Sequence, residues 1–118
     1  MRANSFFRME EQDQDFVSLA KNTIKSLLPD GYPEIAQTAK ITGTSVRTLQ
    51  RKLALSDVSY SKLVEQARLE MATPNLLYSD MKVIDLALEL GYEDPSHFAR
   101  AFRRMTGQSP TEFRSAYA

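Results

Sequence analysis

Ala87-Leu-Glu-Leu-Gly91, then Phe98-Ala-Arg100-Ala-Phe102, restates a phrase met earlier as Ala39-Lys-Ile-Thr-Gly43 and Leu49-Gln-Arg51-Lys-Leu53. The copies lie 48 residues apart up to the glycine (39 to 87, 43 to 91) and 49 after it (49 to 98, 51 to 100). In each, a helical stretch ends at Ala-x-x-x-Gly and a second opens a few residues later. The second stretch places an arginine between two large apolar residues four apart. The alanine lets two helices approach closely, and the glycine supplies the backbone freedom of a tight turn. One such unit arises by chance in many helices. Two of them, with matched arginines, make the pattern of a doubled helix-turn-helix, a device that reads DNA.

The second helix of each unit has two faces. At about 100° per residue, Val46, Leu49 and Leu53 share one stripe of the first, and Thr44, Thr48 and Arg51 lie opposite. Arg47 stands at the edge of that polar face, and Gln50 nearer the buried flank. In the second copy Phe98, Ala101, Phe102 and Met105 form the apolar stripe. Ser96, Arg100 and Arg103 lie opposite, with His97 and Arg104 to one side. A major groove admits one α-helix, and its base edges display acceptors that arginine grips in pairs. Serines and threonines at a helix start can hold phosphates. Leu49, Leu53, Phe98 and Phe102 are read as core. Arg68 is read as a structural salt-bridge residue, and Tyr92 as packing after the turn.

Outward from these units the chain reads as helices throughout. Phe16, Leu19, Ala20, Ile24, Leu27 and Leu28 recur at helical spacing from Asp15, and Pro29-Asp30-Gly31 closes that helix. Pro33 opens the next, at an early position where its missing N–H costs nothing. Ser45 caps a helix from Val46 to about Ala54. Tyr60, Leu63, Val64, Ala67, Leu69 and Met71 mark a longer helix, which Pro74 interrupts. Thr73 then becomes a new N-cap with Pro74 at the first helical position, and a kink or break is predicted over residues 70–75. Asp80 caps a helix from Met81 to Leu90, Pro95 opens one to Met105 or Thr106, and Pro110 begins a short terminal helix. No stretch alternates with a period of two. The fold class is therefore all-α, with about seven helices. A polar tail or linker stub covers 1–14 and a domain covers 15–117. Within that domain the first unit spans about 15–55, a linker helix about 59–77 and the second unit about 80–117.

Composition narrows the function. With 118 residues the chain can bury a core without staples. The absence of cysteine excludes disulfides, thiolate zinc sites and thiol nucleophiles, and fits a cytoplasmic protein. No apolar run approaches the ~20 residues of a membrane span, and the start has no signal-peptide cleavage site. Net charge is zero, but its distribution is uneven. Residues 1–18 hold two arginines against four acids. Residues 45–52 carry Arg47, Arg51 and Lys52, and residues 96–105 carry Arg100, Arg103 and Arg104, with no acid in either run. Local field at a docking surface matters more than the total. His97 is the single histidine, so no metal or other cofactor is expected. No phosphate-cradling glycine loop or histidine–carboxylate pair is present, and no enzyme is expected.

The chain resembles the DNA-binding domain of the AraC/XylS family of bacterial transcription regulators. The residues that carry this are Ser45-Val-Arg-Thr-Leu-Gln-Arg51, Arg68 with Ala72, Val83-Ile84 with Ala87 and Gly91-Tyr92. Then follow Ser96-His97-Phe98-Ala-Arg100-Ala-Phe102-Arg103-Arg104 and Gly107-Gln-Ser-Pro110-Thr-Glu-Phe113-Arg114. The resemblance covers roughly residues 15–117. It implies two helix-turn-helix units on one linker helix, with both reading helices in successive major grooves of promoter DNA about one turn apart. It implies DNA-binding roles for Ser45, Arg47, Thr48, Gln50 and Arg51 in the first unit, and for Ser96, His97, Arg100 and Arg103 in the second. It also implies promoter activation through RNA polymerase, and a separate effector or dimerisation domain missing from this chain, which is then the C-terminal part of a longer regulator. Pro74 departs from the family pattern. The alternative function is a helical protein-interaction module whose basic faces meet an acidic partner; it would bind duplexes weakly and without sequence preference.

Overall fold

The computed structural model describes residues 2–117, with side chains from Gln14 to Tyr117. Seven α-helices follow one another: α1 (Arg2–Leu27), α2 (Ile35–Ile41), α3 (Val46–Leu55), α4 (Tyr60–Tyr78), α5 (Val83–Glu89), α6 (Pro95–Thr106) and α7 (Pro110–Ala116). A short 3-10 turn, Leu28–Asp30, follows α1, and no strand occurs among the described residues. The all-α expectation holds, and the two units with a linker helix between them are α1–α3, α4 and α5–α7.

Two hydrophobic cores sit side by side. Ala20, Ile24 and Leu28 meet Ala39, Leu49 and Leu53 in the first, and Leu63, Val64 and Ala67 of α4 complete it. The second joins Ala72 and Leu76 of α4 to Leu86, Ala87, Leu90, Phe98 and Phe102. Met71 packs against both. The linker helix thus serves two cores in sequence, turning one part of its surface to each. Arg114 of α7 donates to the carbonyls of Leu76 (3.0 Å), Asn75 (3.3 Å) and Ser79 (3.4 Å). A cation there satisfies carbonyls at the α4 C-terminus and complements its dipole.

Several local expectations are corrected. The first helix begins at Arg2 instead of Asp15, because no glycine or proline interrupts residues 2–27. The segment read as a polar tail is helical from Arg2 onward, and Met1 lies outside the described residues. Pro33 precedes α2, whose N-cap position falls on Glu34 without a side-chain bond. Pro33 instead lends its carbonyl to the Tyr60 hydroxyl at 2.7 Å. Asp80 is no cap: α5 starts at Val83 after Lys82, and its start has no side-chain cap. Ser79 Oγ accepts the Met81 N–H at 3.2 Å, so that loop is held one residue earlier.

The largest correction concerns Pro74. Helix α4 runs unbroken through it. Thr73 does not cap a new helix; its hydroxyl donates back to the Leu69 carbonyl at 2.9 Å, and Asn75 Nδ2 donates to the Met71 carbonyl at 2.8 Å. These side chains bond carbonyls on either side of the one that proline leaves without a donor. Glu70 and Pro74, four apart on one face, are both exposed. The cost, about 3 kcal/mol in a helix interior, is offset by the burial of α4 in two cores, the second of which takes Ala72 before the proline and Leu76 after it.

Replacing Pro74 with alanine restores one backbone bond in an already continuous helix. Pro74→Ala should stabilise the domain by about 1–3 kcal/mol, net of the freer unfolded chain. A thermal melt checks it, and a lower melting temperature would mean that the ring supplies packing. Phe102→Ala and Leu49→Ala each empty a fully buried site. Each should lose about 2–5 kcal/mol, read from urea midpoints by circular dichroism.

Candidate nucleic-acid interface

The two helix-turn-helix units match at the level of single hydrogen bonds. In the first, the Thr44 N–H donates to the Ala39 carbonyl at 2.9 Å; in the second, the Tyr92 N–H donates to the Ala87 carbonyl at 3.0 Å. Each bond closes over a left-handed glycine, Gly43 at φ 76° and Gly91 at φ 83°. Ala39 and Ala87 are buried, where a larger side chain would hold the helix pair apart.

Helix α3 starts with Ser45, whose Oγ accepts the Thr48 N–H at 3.1 Å and meets Thr48 Oγ1 at 3.0 Å. The cap therefore fixes two of the expected site residues to each other. Leu49 and Leu53 are buried, and Val46 packs partly against the same core. Arg47, Gln50 and Arg51 are exposed, and Thr48 is half-buried. Gln50, expected near the buried flank, instead opens onto a shallow groove shared with Ala54 and the Asp57–Tyr60 loop. Lys52 is drawn aside, its ammonium 4.4 Å from the centre of the Phe16 ring. Its cation–π contact withdraws it from the arginine face.

Helix α6 begins at Pro95 after Asp94, which sequence reasoning passed over. Asp94 Oδ1 accepts the Ser96 N–H at 2.9 Å and the Ser96 hydroxyl at 2.8 Å. The Ser96 backbone bond first, then its hydroxyl, hold the Asp94 carboxyl below its ordinary value, so it stays ionised through the neutral range. The Asp-Pro-Ser order was the available signal. Phe98, Ala101 and Phe102 are buried, and His97, Arg100, Arg103 and Arg104 are exposed with Ser96. Gly107 ends the helix in the left-handed conformation.

The arginines of α6 are not equally placed. Arg103 pairs with Glu112, which also closes the α7 capping box with Ser109. Arg104 reaches Glu65 of α4 at 2.5 Å. Arg47, Arg51 and Arg100 have no ion-pair partner among the described residues. Among the described residues this leaves two exposed arginines without an ion pair on α3 and one, Arg100, on α6.

Arg68 has a structural role of a different kind from the one expected. It forms no salt bridge among the described residues. Its side chain is buried, and Nε donates to the Leu90 carbonyl at 2.8 Å and Nη2 to the Gly91 carbonyl at 3.0 Å. The guanidinium lies 3.9 Å from the Tyr92 ring centre and 5.4 Å from that of Tyr32. Carbonyl acceptors and aromatic faces take the place of a carboxylate. Tyr92, read as packing, also stacks on Phe98 at 5.5 Å. Among the described residues no three His, Asp or Glu side chains gather as metal ligands, and no helix is long and apolar enough to cross a membrane.

Known proteins share this arrangement. The family model described as "Helix-turn-helix domain" matches residues 38–116. The chain is 42% identical over 90 residues to the HTH-type transcriptional regulator VqsM of Pseudomonas aeruginosa, covering 76% of this chain and 28% of that protein. It spans under a third of the length of this and other curated relatives it matches. An AraC-type DNA-binding domain-containing regulator from Chromobacterium violaceum superimposes with TM-score 0.80 at 21% identity, over 92% of this chain and 96% of that one. The DNA-binding domain of AdpA, solved with a target DNA, superimposes with TM-score 0.70 at 24% identity, over 89% and 91%. With the matched family model spanning both turn units, the chain belongs to the AraC-type helix-turn-helix family of transcription regulators.

Proposed function

We propose that this domain binds double-stranded promoter DNA in a sequence-specific way, with α3 and α6 as its two reading helices in successive major grooves. One observation carries the reading. Two equivalent helices each bury an apolar stripe and expose arginines and hydroxyls on the other side, after turns that match bond for bond. Arg47, Thr48, Gln50 and Arg51 serve the first groove, with Ser45 at the helix start near phosphate. His97, Arg100 and Arg103 serve the second, with Ser96 at its start. Arg103 has to exchange Glu112 for DNA, so its contribution is smaller than that of Arg100. The domain acts in the cytoplasm as a regulator and not as an enzyme. It is one part of a regulator that activates transcription through RNA polymerase, and effector sensing lies outside it.

Arg51→Ala and Arg100→Ala should each weaken binding to a selected duplex by about 1–3 kcal/mol and relax discrimination at one base-pair position. Both are exposed, so melting temperature should stay within about 2 °C of the parent, as for surface changes. Fluorescence anisotropy on duplexes from a selection experiment reads the affinity. Sequence-indifferent binding by the parent, unchanged in both variants, would point to a protein-interaction module instead.

A further inference from the structure

In the second unit the turn is pressed against the first unit's backbone. A Cβ built on Gly91 would lie 2.8 Å from the carbonyl oxygens of both Gly31 and Leu28 and 2.9 Å from the Gly31 carbonyl carbon. These neighbours are backbone atoms that cannot swing aside. The equivalent glycine of the first unit, Gly43, has nothing within 4 Å of its own Cβ position. The two glycines share a left-handed φ but only Gly91 makes a contact between units. At the same turn, Arg68 of α4 holds the Leu90 and Gly91 carbonyls, with Tyr32 and Tyr92 against its guanidinium. Tyr32 directly follows Gly31. One small locus therefore joins the Leu28–Tyr32 corner of the first unit, the linker helix and the turn before the second reading helix.

We propose that this clamp, Gly91 seated on the Leu28 and Gly31 carbonyls with Arg68 as its bolt, sets the separation and tilt of α3 and α6, and so the half-site spacing that the domain accepts. The consequence for DNA rests on the two-groove reading above; the clamp itself does not. Arg68 is then a positioning residue that touches no base and still governs specificity. A change of one base pair between half-sites moves the second site by about 3.4 Å and turns it by about 35°. A clamped pair of reading helices tolerates that poorly, whereas a loosely tethered pair tolerates it well.

The chain has no cysteine, so nitroxide labels can be placed cleanly on exposed Gln37 of α2 and Glu89 of α5 as Gln37→Cys plus Glu89→Cys. Pulsed electron paramagnetic resonance then reads the distance between units without DNA. The parent should give one narrow distance. Arg68→Gln and Gly91→Ala should broaden or displace it, while Gly43→Ala, which imposes the same backbone strain without the contact, should keep it narrow. Folded variants are recognised by a cooperative melt. Tyr32→Ala, which removes a half-exposed ring from the clamp, broadens the distance as well and decides the matter if the first two fail to fold.

The second arm measures affinity for duplexes whose half-sites are set apart by one or two extra or missing base pairs. The parent should lose about tenfold at each wrong spacing, and the clamp variants should bind all spacings within about threefold of each other. Folded clamp variants with an unchanged narrow distance, or a broadened distance with the parental spacing profile, would overturn the proposal. Loss of all spacing preference in the parent would instead count against two-groove binding, and the distance arm would still decide the clamp.

Discussion

Burial of α4 in two cores at once is the constraint from which the rest of this structure follows. Leu63, Val64 and Ala67 belong to one core, and Ala72 and Leu76 to the other. Between these groups sits Arg68, a cation in a place with little water. Such a group is tolerated only when its donors are used. Two of them meet the Leu90 and Gly91 carbonyls, at a turn whose backbone N–H groups are already spent on the turn itself. The choice of carbonyls over a carboxylate has a physical sense. A carboxylate would bring a second desolvated charge, whereas carbonyls at a helix end are partial charges that need a donor anyway. Lys21 and Lys25 hold the other exposed flank of α4 by pairing with Glu70 at 2.7 and 3.1 Å. Burial opposes ionisation of Glu70, but hydrogen bonds from the two lysines prevail and its carboxyl lies below its ordinary value.

How far the sequence disclosed this depends on whether the controlling contact was local. The Ala-x-x-x-Gly repeats, the Ser45 cap and the apolar stripes of α3 and α6 are set within a few turns of chain, and they were legible. The doubled unit was legible because two weak patterns at one offset reinforce each other. Pro74 was misread for the opposite reason. Its local cost is real, but the compensation comes from Leu63 to Leu76 packing on residues far along the chain, and from Thr73 and Asn75 bonding back to α4. Tertiary packing outweighs propensity there. Arg68 could be placed as structural, but its partners could not be read. Backbone carbonyls carry no side-chain signature, so the natural guess was a carboxylate. Asp80 lost the capping role because Ser79, one residue earlier, ends α4 and accepts the Met81 N–H, leaving α5 to start after Lys82.

Zero net charge and a DNA-binding role are reconciled by where charge is compensated. Acids gather around α6: Asp94 at its start, Glu112 on Arg103 and Glu65 on Arg104. On α3 the exposed arginines Arg47 and Arg51 have no such partners among the described residues, and only Lys52 is turned away. Exposed ion pairs are worth little to stability, typically under about 1 kcal/mol, so the acids beside α6 act chiefly on its field and on side-chain order. An arginine held by a carboxylate loses less rotamer freedom when it docks, but it gives up that partner first. The first unit therefore presents the stronger unscreened attraction for phosphate, and the second the better ordered surface. A domain in which both reading helices were bare of acids would gain affinity for any duplex. Placing compensation on one helix limits that sequence-indifferent term while leaving Arg100 and His97 exposed.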